Sequence, residues 1–288
     1  MFVEKAYAKI NLYLDVVGVR SDGFHDIKSV MHSVDLCDVL EISIEPSFSN
    51  IINITCDSEG VPCDKSNIIY RAAEAYLNRY GIFAKINILL RKNIPVCAGL
   101  GGGSSDGAAI LRALNKHFGK ASIDELLEIA AGVGSDVPFC LYGGAALCEG
   151  RGELLTAITP LSGGNVVIAI GKERVSTPRA YSAIDIKYPN LGKRAENNNC
   201  VLENLLSSMQ VGLSLKNLYN IFEEVVALPE VAAIKREMML SGANCTLMSG
   251  SGPSVFGVYD DEDLARYAVE KLSSLGYQAF YTNFVDKS

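Results

Sequence analysis

The chain has 288 residues, of which 49% are apolar, and its formal net charge is −7. This length suits one large domain or two ordinary ones, and the apolar fraction excludes a disordered chain. The acidic balance argues against nucleic acid as a partner, because a duplex binder normally carries a basic face. No apolar run reaches the roughly 18 residues of a membrane span, so we expect no membrane partner either.

Eight cysteines are scattered along the chain, and none of them forms a Cys-x-x-Cys pair. Only three histidines accompany them. This distribution argues against a zinc site and predicts reduced, mostly buried thiols. Together with an N-terminus that lacks a long apolar segment, it predicts a cytoplasmic protein.

The first half of the chain is expected to mix strands and helices. Leu12, Leu14 and Val16 alternate with their neighbours and predict a strand over residues 2–17 with one strongly apolar face. Further strands are predicted at residues 39–44, 51–55, 86–90 and 141–148, the first two as a meander. Helices are predicted at residues 67–80, at 123–133 with a capping box, and from Asp106 onward.

Polar and turn residues over positions 151–164 predict a boundary between two domains, residues 1–155 and residues 163–285. Residues 176–199 lack apolar periodicity and predict a long loop with at most one short helix. After this loop we expect helices at 202–208, 215–226, 229–242 and 261–275, and strands at 245–248, 255–259 and 278–284. The order at the C-terminal end indicates an antiparallel sheet covered by helices on one side, so the predicted fold class is α+β.

A glycine-rich segment at residues 95–109 lies between a predicted strand and a predicted helix. Gly99, Gly101, Gly102 and Gly103 leave its backbone free of side chains. Free N–H groups at the start of a helix suit a phosphate. The segment lacks the Lys-Ser/Thr ending of a P-loop, and a dinucleotide site would need an opening βαβ unit. A turn without a ligand is the alternative to a phosphate site.

Three further features permit more than one interpretation. Lys9 and Asn11 share one face of an apolar strand, so Lys9 lies either at a solvent-facing rim or buried beside a partner. Asp136 lies between a helix and an apolar segment, either as a turn residue or as a base directed into a cleft. Residues 249–253, Ser-Gly-Ser-Gly-Pro, form either a plain hairpin loop or a second binding turn.

The order of these features resembles that of the GHMP family of small-molecule kinases. The motifs that carry the resemblance are residues 8–12, 20–25, 95–109 and 134–138. It implies the two-domain GHMP kinase fold, with an N-terminal domain like ribosomal protein S5 and a C-terminal ferredoxin-like α/β layer. It also implies an enzyme that uses ATP, with Mg²⁺ travelling with the nucleotide.

The resemblance also implies roles for individual residues. Asp136 would be the general base for an acceptor hydroxyl, with Lys9 beside it. Asn67 and Lys92 match positions near the adenine. Ser105 is a candidate for the metal. The residues that would cradle the phosphates of ATP are Pro95, Val96, Cys97, Ala98, Gly99, Leu100, Gly101, Gly102, Gly103, Ser104 and Ser105.

The longer glycine segment and residues 20–25 resemble one branch of that family, whose acceptor is a methylerythritol that carries a cytidine diphosphate group. In that branch Phe24 and His25 would stack on and read the cytosine, Tyr181 would complete the sandwich, and Asn11 and Asp136 would reach the substrate. Phe24 stands where a tyrosine is more usual. A homoserine, mevalonate or sugar kinase, a silent nucleotide-binding module and a dinucleotide-dependent oxidoreductase are the alternatives.

Overall fold

Eleven strands form one mixed sheet in the computed structural model, which describes residues 1–161, 163–212, 215 and 217–286. The strands are β1 (Phe2–Val19), β2 (His25–Pro46), β3 (Ile51–Cys56), β4 (Ala84–Arg91), β5 (Ala145–Glu149), β6 (Leu154–Ala157), β7 (Gly163–Ile170), β8 (Tyr219–Asn220), β9 (Cys245–Met248), β10 (Val255–Tyr259) and β11 (Gln278–Phe284). The main path through the sheet has the order β3-β4-β2-β11-β7-β10-β9.

Helices cover this sheet, which confirms the α+β prediction. They are α1 (Ile68–Tyr80), α2 (Gly102–Phe118), α3 (Ile123–Val133), α4 (Val137–Tyr142), α5 (Thr177–Lys187), α6 (Leu191–Val211), α7 (Pro229–Leu240) and α8 (Glu262–Ser274), with a 3₁₀ turn at Ile221–Glu224. The predicted capping box of α3 is present, because Ser122 and Glu125 each bind the other's backbone N–H. No helix within the described ranges is long and apolar enough to cross a bilayer.

The N-terminal strands differ from the prediction in one respect. β3 does not form a meander with β2; it pairs parallel to β4, which lies between them. The reason is the helix α1, which connects β3 to β4, because a parallel pair needs such a crossover. The segment predicted as a strand at 141–148 is also divided, since α4 ends at Tyr142 and β5 begins at Ala145.

The C-terminal sheet is antiparallel throughout, as predicted: β10 pairs with β7 and β9, and β11 pairs with β7. It joins the N-terminal strands through β11 and β2, at the pair Phe284 and Val34. Since one sheet runs through both halves, the division into domains at 1–155 and 163–285 stays a prediction.

Two predictions in the second half are wrong. The expected loop at 176–199 contains α5 and the first part of α6. A tertiary ion pair stabilises α6, because Arg194 binds the fully buried carboxylate of Asp15 on β1. The expected helix at 215–226, of which residue 216 lies outside the described residues, is replaced by β8 and the 3₁₀ turn. There the Asn220 side chain bonds to the carbonyl groups of Met248 and Gly250 instead.

His32 lies where the two halves of the sheet meet. Its Nε2 accepts a hydrogen bond of 2.8 Å from the backbone N–H of Leu161, and its Nδ1–H therefore donates to the Ser33 carbonyl at 2.9 Å. The ring of Phe284 packs against it, with ring centroids 4.6 Å apart. Burial lowers the pKa of His32 from 6.5 to about 4, so the folded protein keeps this imidazole neutral.

We predict that this buried imidazole lowers the stability of the protein in mild acid. The unfolded chain binds a proton at His32 below pH 6.5, whereas the folded chain does not until about pH 4. The His32 contribution to the free energy of unfolding should therefore fall by about 2 kcal/mol between pH 7.5 and pH 5. Denaturant titrations at both pH values measure this. His32→Gln should remove this pH-dependent loss of the free energy of unfolding, and the exposed control His117→Gln should retain it. The same loss in His32→Gln as in the unaltered protein would contradict the prediction.

Candidate active site

Strand β1 directs Lys9 and Asn11 away from the apolar core. Ala8, Ile10 and Leu12 pack into one hydrophobic cluster, so the alternating residues Lys9 and Asn11 lie on the other face. The pairing of β1 with β2 shifts register between Tyr7 and Ala8 and again between Asn11 and Tyr13. Such irregularities change where side chains point, and here they bracket the two polar residues.

Lys9 is buried beside a partner rather than placed at a solvent-facing rim. Its side chain is 5% exposed, and its Nζ donates to Asn11 Oδ1 at 2.8 Å. Asp136 Oδ2 lies 3.5 Å from the same Nζ. The Asn11 side chain is fixed in turn, because its Nδ2 donates to Ser29 Oγ at 2.8 Å. The ammonium is thus held in one position by an amide and a carboxylate.

Asp136 occupies the N-cap position of the short helix α4. Its carboxylate makes no capping hydrogen bond to that helix. The side chain is 31% exposed, so it is accessible to solvent while it contacts Lys9. Of the two roles that the sequence left open, this geometry favours a carboxylate directed into a cleft.

The glycine loop, residues 95–105, lies directly on Lys9. The Leu100 carbonyl accepts from the Lys9 backbone N–H at 2.9 Å. A Cβ built on Gly101 would come within 2.9 Å of Lys9 Cγ, so a side chain there would displace the lysine. Helix α2 begins one residue later with Gly101 as its N-cap, in the left-handed conformation and without a side-chain cap.

The loop at residues 249–253 is both a hairpin loop and a partner of the glycine loop. It connects the antiparallel strands β9 and β10. Ser249 Oγ donates to the Gly99 carbonyl at 3.1 Å, and Gly250 N donates to Asn11 Oδ1 at 3.0 Å. A Cβ on Gly99 would lie 2.4 Å from the Ser249 carbonyl oxygen. The C-terminal half therefore determines where the glycine loop lies.

A cavity of about 340 Å³ opens on one side of the glycine loop. Asn67 and Lys92 line it, together with the loop residues from Pro95 to Ser104. The Asn67 side chain caps α1, since its Oδ1 accepts from Ile69 N at 2.8 Å. Ser105 lies on the buried side of α2, where its hydroxyl donates to the Tyr7 carbonyl.

Lys92 is bound by two carboxylates at the wall of this small cavity. Its Nζ contacts Asp38 and lies 3.0 Å from Asp106 Oδ2. Burial raises the pKa of Asp106 to about 7, which the neighbouring ammonium of Lys92 opposes. Asp106 lies on α2 just after the glycine loop, so this cluster connects the helix to β2 and to the end of β4.

A larger cavity of about 700 Å³ lies on the other side of the glycine loop. Lys9, Asn11 and Asp136 lie at its wall with Gly99, Gly101 and Ser104. Phe24, His25 and Tyr181 line the same cavity, although they come from distant parts of the chain. The structure thus brings the predicted catalytic residues and the predicted aromatic residues into one space.

The aromatic residues do not form a simple sandwich. His25 stacks on Tyr181 with ring centroids 4.6 Å apart, and its Nε2 lies 2.8 Å from Asp185 Oδ1. Tyr181 packs edge-on against Phe222. Burial raises the pKa of Tyr181 to about 12, and the negative charge of Asp136 adds to this shift. Phe24 is 54% exposed at the cavity mouth.

Comparison with known proteins identifies the family. Residues 67–144 match the model of the GHMP kinases N terminal domain, and residues 193–278 match that of the GHMP kinases C terminal domain. A 4-diphosphocytidyl-2-C-methyl-D-erythritol kinase of Clostridium kluyveri is 39% identical over 285 residues, which cover 98% of this chain and 99% of the relative. The kinase of that name from Caldicellulosiruptor saccharolyticus is 41% identical, over 93% of this chain and 91% of the relative.

The chain belongs to the GHMP kinase family. Within it, these relatives place the chain among the 4-diphosphocytidyl-2-C-methyl-D-erythritol kinases. A crystal structure of 4-(cytidine 5'-diphospho)-2C-methyl-D-erythritol kinase superposes with a TM-score of 0.80 at 32% identity, and the match covers 98% of this chain and 99% of that one. A mevalonate kinase of L. major has a TM-score of 0.76 at 15% identity and shares the fold.

The sequence-based prediction of this GHMP site missed three residues. Asp185 contacts His25, and Arg151 lies over Phe24 with its guanidinium carbon 5.4 Å from the ring centroid. Thr177 bonds to Ser251 at 2.8 Å across the cavity wall. Asp185 and Thr177 come from the segment predicted as a loop, where helical spacing was not visible in the sequence.

We predict that Gly99→Ala weakens ATP binding by about tenfold or more, because the new methyl group would meet the Ser249 carbonyl and the backbone φ of +80° disfavours a side chain. Calorimetric titration with ATP measures the effect. Gly119→Ala is a matched control, since Gly119 has φ +62° and no neighbouring atom within 4 Å. An unchanged ATP affinity in Gly99→Ala would show that the loop accommodates the methyl group.

Proposed function

We propose that this protein transfers the γ-phosphoryl group of ATP to a hydroxyl of 4-diphosphocytidyl-2-C-methyl-D-erythritol. The product would be the 2-phosphate, an intermediate of the non-mevalonate route to isoprenoid precursors. One observation carries the proposal: a cavity of about 700 Å³ contains the Lys9–Asp136 pair, the glycine loop and the His25–Tyr181 stack. A substrate with a polyol at one end and a nucleobase at the other would place the polyol at the Lys9–Asp136 pair and the nucleobase at the aromatic stack.

Asp136 is assigned as the general base. As the acceptor oxygen forms its bond to the γ-phosphorus, the hydroxyl proton passes to the Asp136 carboxylate. The bond between the γ-phosphorus and its bridging oxygen breaks, and ADP leaves. Lys9, 3.5 Å from this carboxylate, favours its ionised form and offsets the charge that develops on the phosphoryl oxygens.

The glycine loop is assigned to the phosphates of ATP. Its residues line both cavities, so a nucleotide in the small cavity would extend its phosphates toward Lys9 and Asp136. Asn67 and Lys92 would then lie near the adenine. Mg²⁺ enters as part of the ATP complex and neutralises phosphate charge, so the protein contributes mainly position and local charge.

The aromatic end of the large cavity is assigned to the cytosine. His25 and Tyr181 offer ring faces for stacking and, through the imidazole, a hydrogen-bonding group. Phe24 supplies a further face at the mouth of the cavity. The acceptors of homoserine and mevalonate kinases contain no nucleobase, so they would make no stacking contact with this aromatic cluster.

An acceptor panel tests the proposal. With ATP and Mg²⁺, we expect phosphorylation of 4-diphosphocytidyl-2-C-methyl-D-erythritol, detected as a new phosphomonoester by ³¹P NMR. Homoserine, mevalonate and galactose should give no product, because they leave the aromatic end empty. Transfer to one of these three acceptors, with none to the cytidyl substrate, would refute the proposal.

Asp136→Asn provides the control for the chemistry in this assay. The variant should turn over at least about 10²-fold more slowly, the scale of losing a general base. Its affinity for ATP should stay close to that of the unaltered protein, since Asp136 lies outside the small cavity. A wild-type turnover rate in Asp136→Asn would show that another group takes the proton.

A further inference from the structure

Arg151 lies between the two ends of the large cavity. It follows β5 in the turn before β6, and its neighbour Gly152 lies against the reacting end: a Cβ built there would be 3.7 Å from Asp136 Oδ1. The Arg151 guanidinium carbon lies 5.4 Å from the Phe24 ring centroid. Arg151 therefore contacts the aromatic cluster, and the next residue in the chain lies beside the catalytic carboxylate.

The charges at the cavity wall make Arg151 distinctive. Among the described residues that line the cavity, Lys9 and Arg151 are the lysine and arginine residues, and Asp136 and Asp185 are the acidic ones. Lys9 already contacts Asn11 and Asp136. Arg151 is the cation that remains for an anionic group between the two ends.

The guanidinium of Arg151 retains its hydrogen-bonding capacity. Within the ranges that the structure describes, its side chain makes an ion pair of 3.8 Å with Glu153 but no hydrogen bond. The Glu153 carboxylate accepts instead from the Arg151 backbone N–H at 2.6 Å, which fixes the turn. The side chain is 31% exposed, so its N–H donors are accessible from the cavity.

We propose that Arg151 binds the diphosphate of the acceptor substrate and so positions the polyol at Asp136. The inference rests on the proposed function, because it takes the acceptor to be a cytidine diphosphate derivative. A diphosphate diester carries one negative charge on each phosphate, and a guanidinium donates to such oxygens in a fixed, forked geometry. Arg151 is a positioning and specificity residue, and it takes no part in the proton transfer.

A cycle of two ligands and two proteins tests this role. Calorimetric titrations would measure the binding of CDP and of cytidine to the unaltered protein and to Arg151→Gln. We expect Arg151→Gln to weaken CDP binding by about tenfold or more, the scale of a lost charge-assisted hydrogen bond, and to change cytidine binding by less than about twofold. Arg151→Lys should restore part of the CDP affinity, because it returns the charge without the fork.

Arg79→Gln is the matched control, since Arg79 is a surface arginine of α1 paired with Glu128. Its affinities should equal those of the unaltered protein, and melting temperatures would show that both variants fold. Equal losses for CDP and cytidine would overturn the proposal, because Arg151 would then only support Phe24. Unchanged CDP binding would overturn it while the proposed function stands. If the unaltered protein bound neither CDP nor cytidine, both the Arg151 proposal and the proposed function would be overturned.

Discussion

The buried ammonium of Lys9 is the interaction on which the rest of the site depends. Removing a lysine from water costs several kcal/mol unless partners compensate for the lost hydration. Asn11 at 2.8 Å and Asp136 at 3.5 Å provide that compensation here. Because Gly101 has no side chain, the backbone of the glycine loop passes directly over the aliphatic part of Lys9. A phosphate bound by that loop would therefore lie next to a fixed positive charge and a carboxylate.

The C-terminal half of the chain completes this arrangement. Ser249 binds the Gly99 carbonyl, and Gly250 donates to the same Asn11 oxygen that accepts from Lys9. Asn220 stabilises the loop at residues 249–253, because its side-chain amide donates to the carbonyl groups of Met248 and Gly250. The position of the ammonium thus depends on contacts between residues far apart in the chain. The common sheet that joins the two halves gives these contacts a rigid frame.

Local sequence patterns predicted the parts of the site that depend on local geometry. The glycine loop, the alternation of Lys9 with apolar neighbours and the α3 capping box are all visible within a few residues. Whether Lys9 is buried could not be read locally, since that depends on Asp136 and on the C-terminal loop. Helix α5 and the first part of α6 were missed, and that part of α6 is stabilised by the Asp15–Arg194 ion pair rather than by apolar periodicity. Asp185 and Thr177, which α5 brings to the cavity, were missed with it.

A double-mutant cycle on Lys9 and Asp136 tests most directly whether the two side chains act together. Single-turnover rates would be measured with ATP and acceptor at saturation for Lys9→Met, Asp136→Asn and the double variant. If the pair is one unit, each single change lowers the rate by about 10²-fold or more, and the double variant is about as slow as the slower single variant. Losses that multiply in the double variant would show two independent contributions and would contradict a shared catalytic unit.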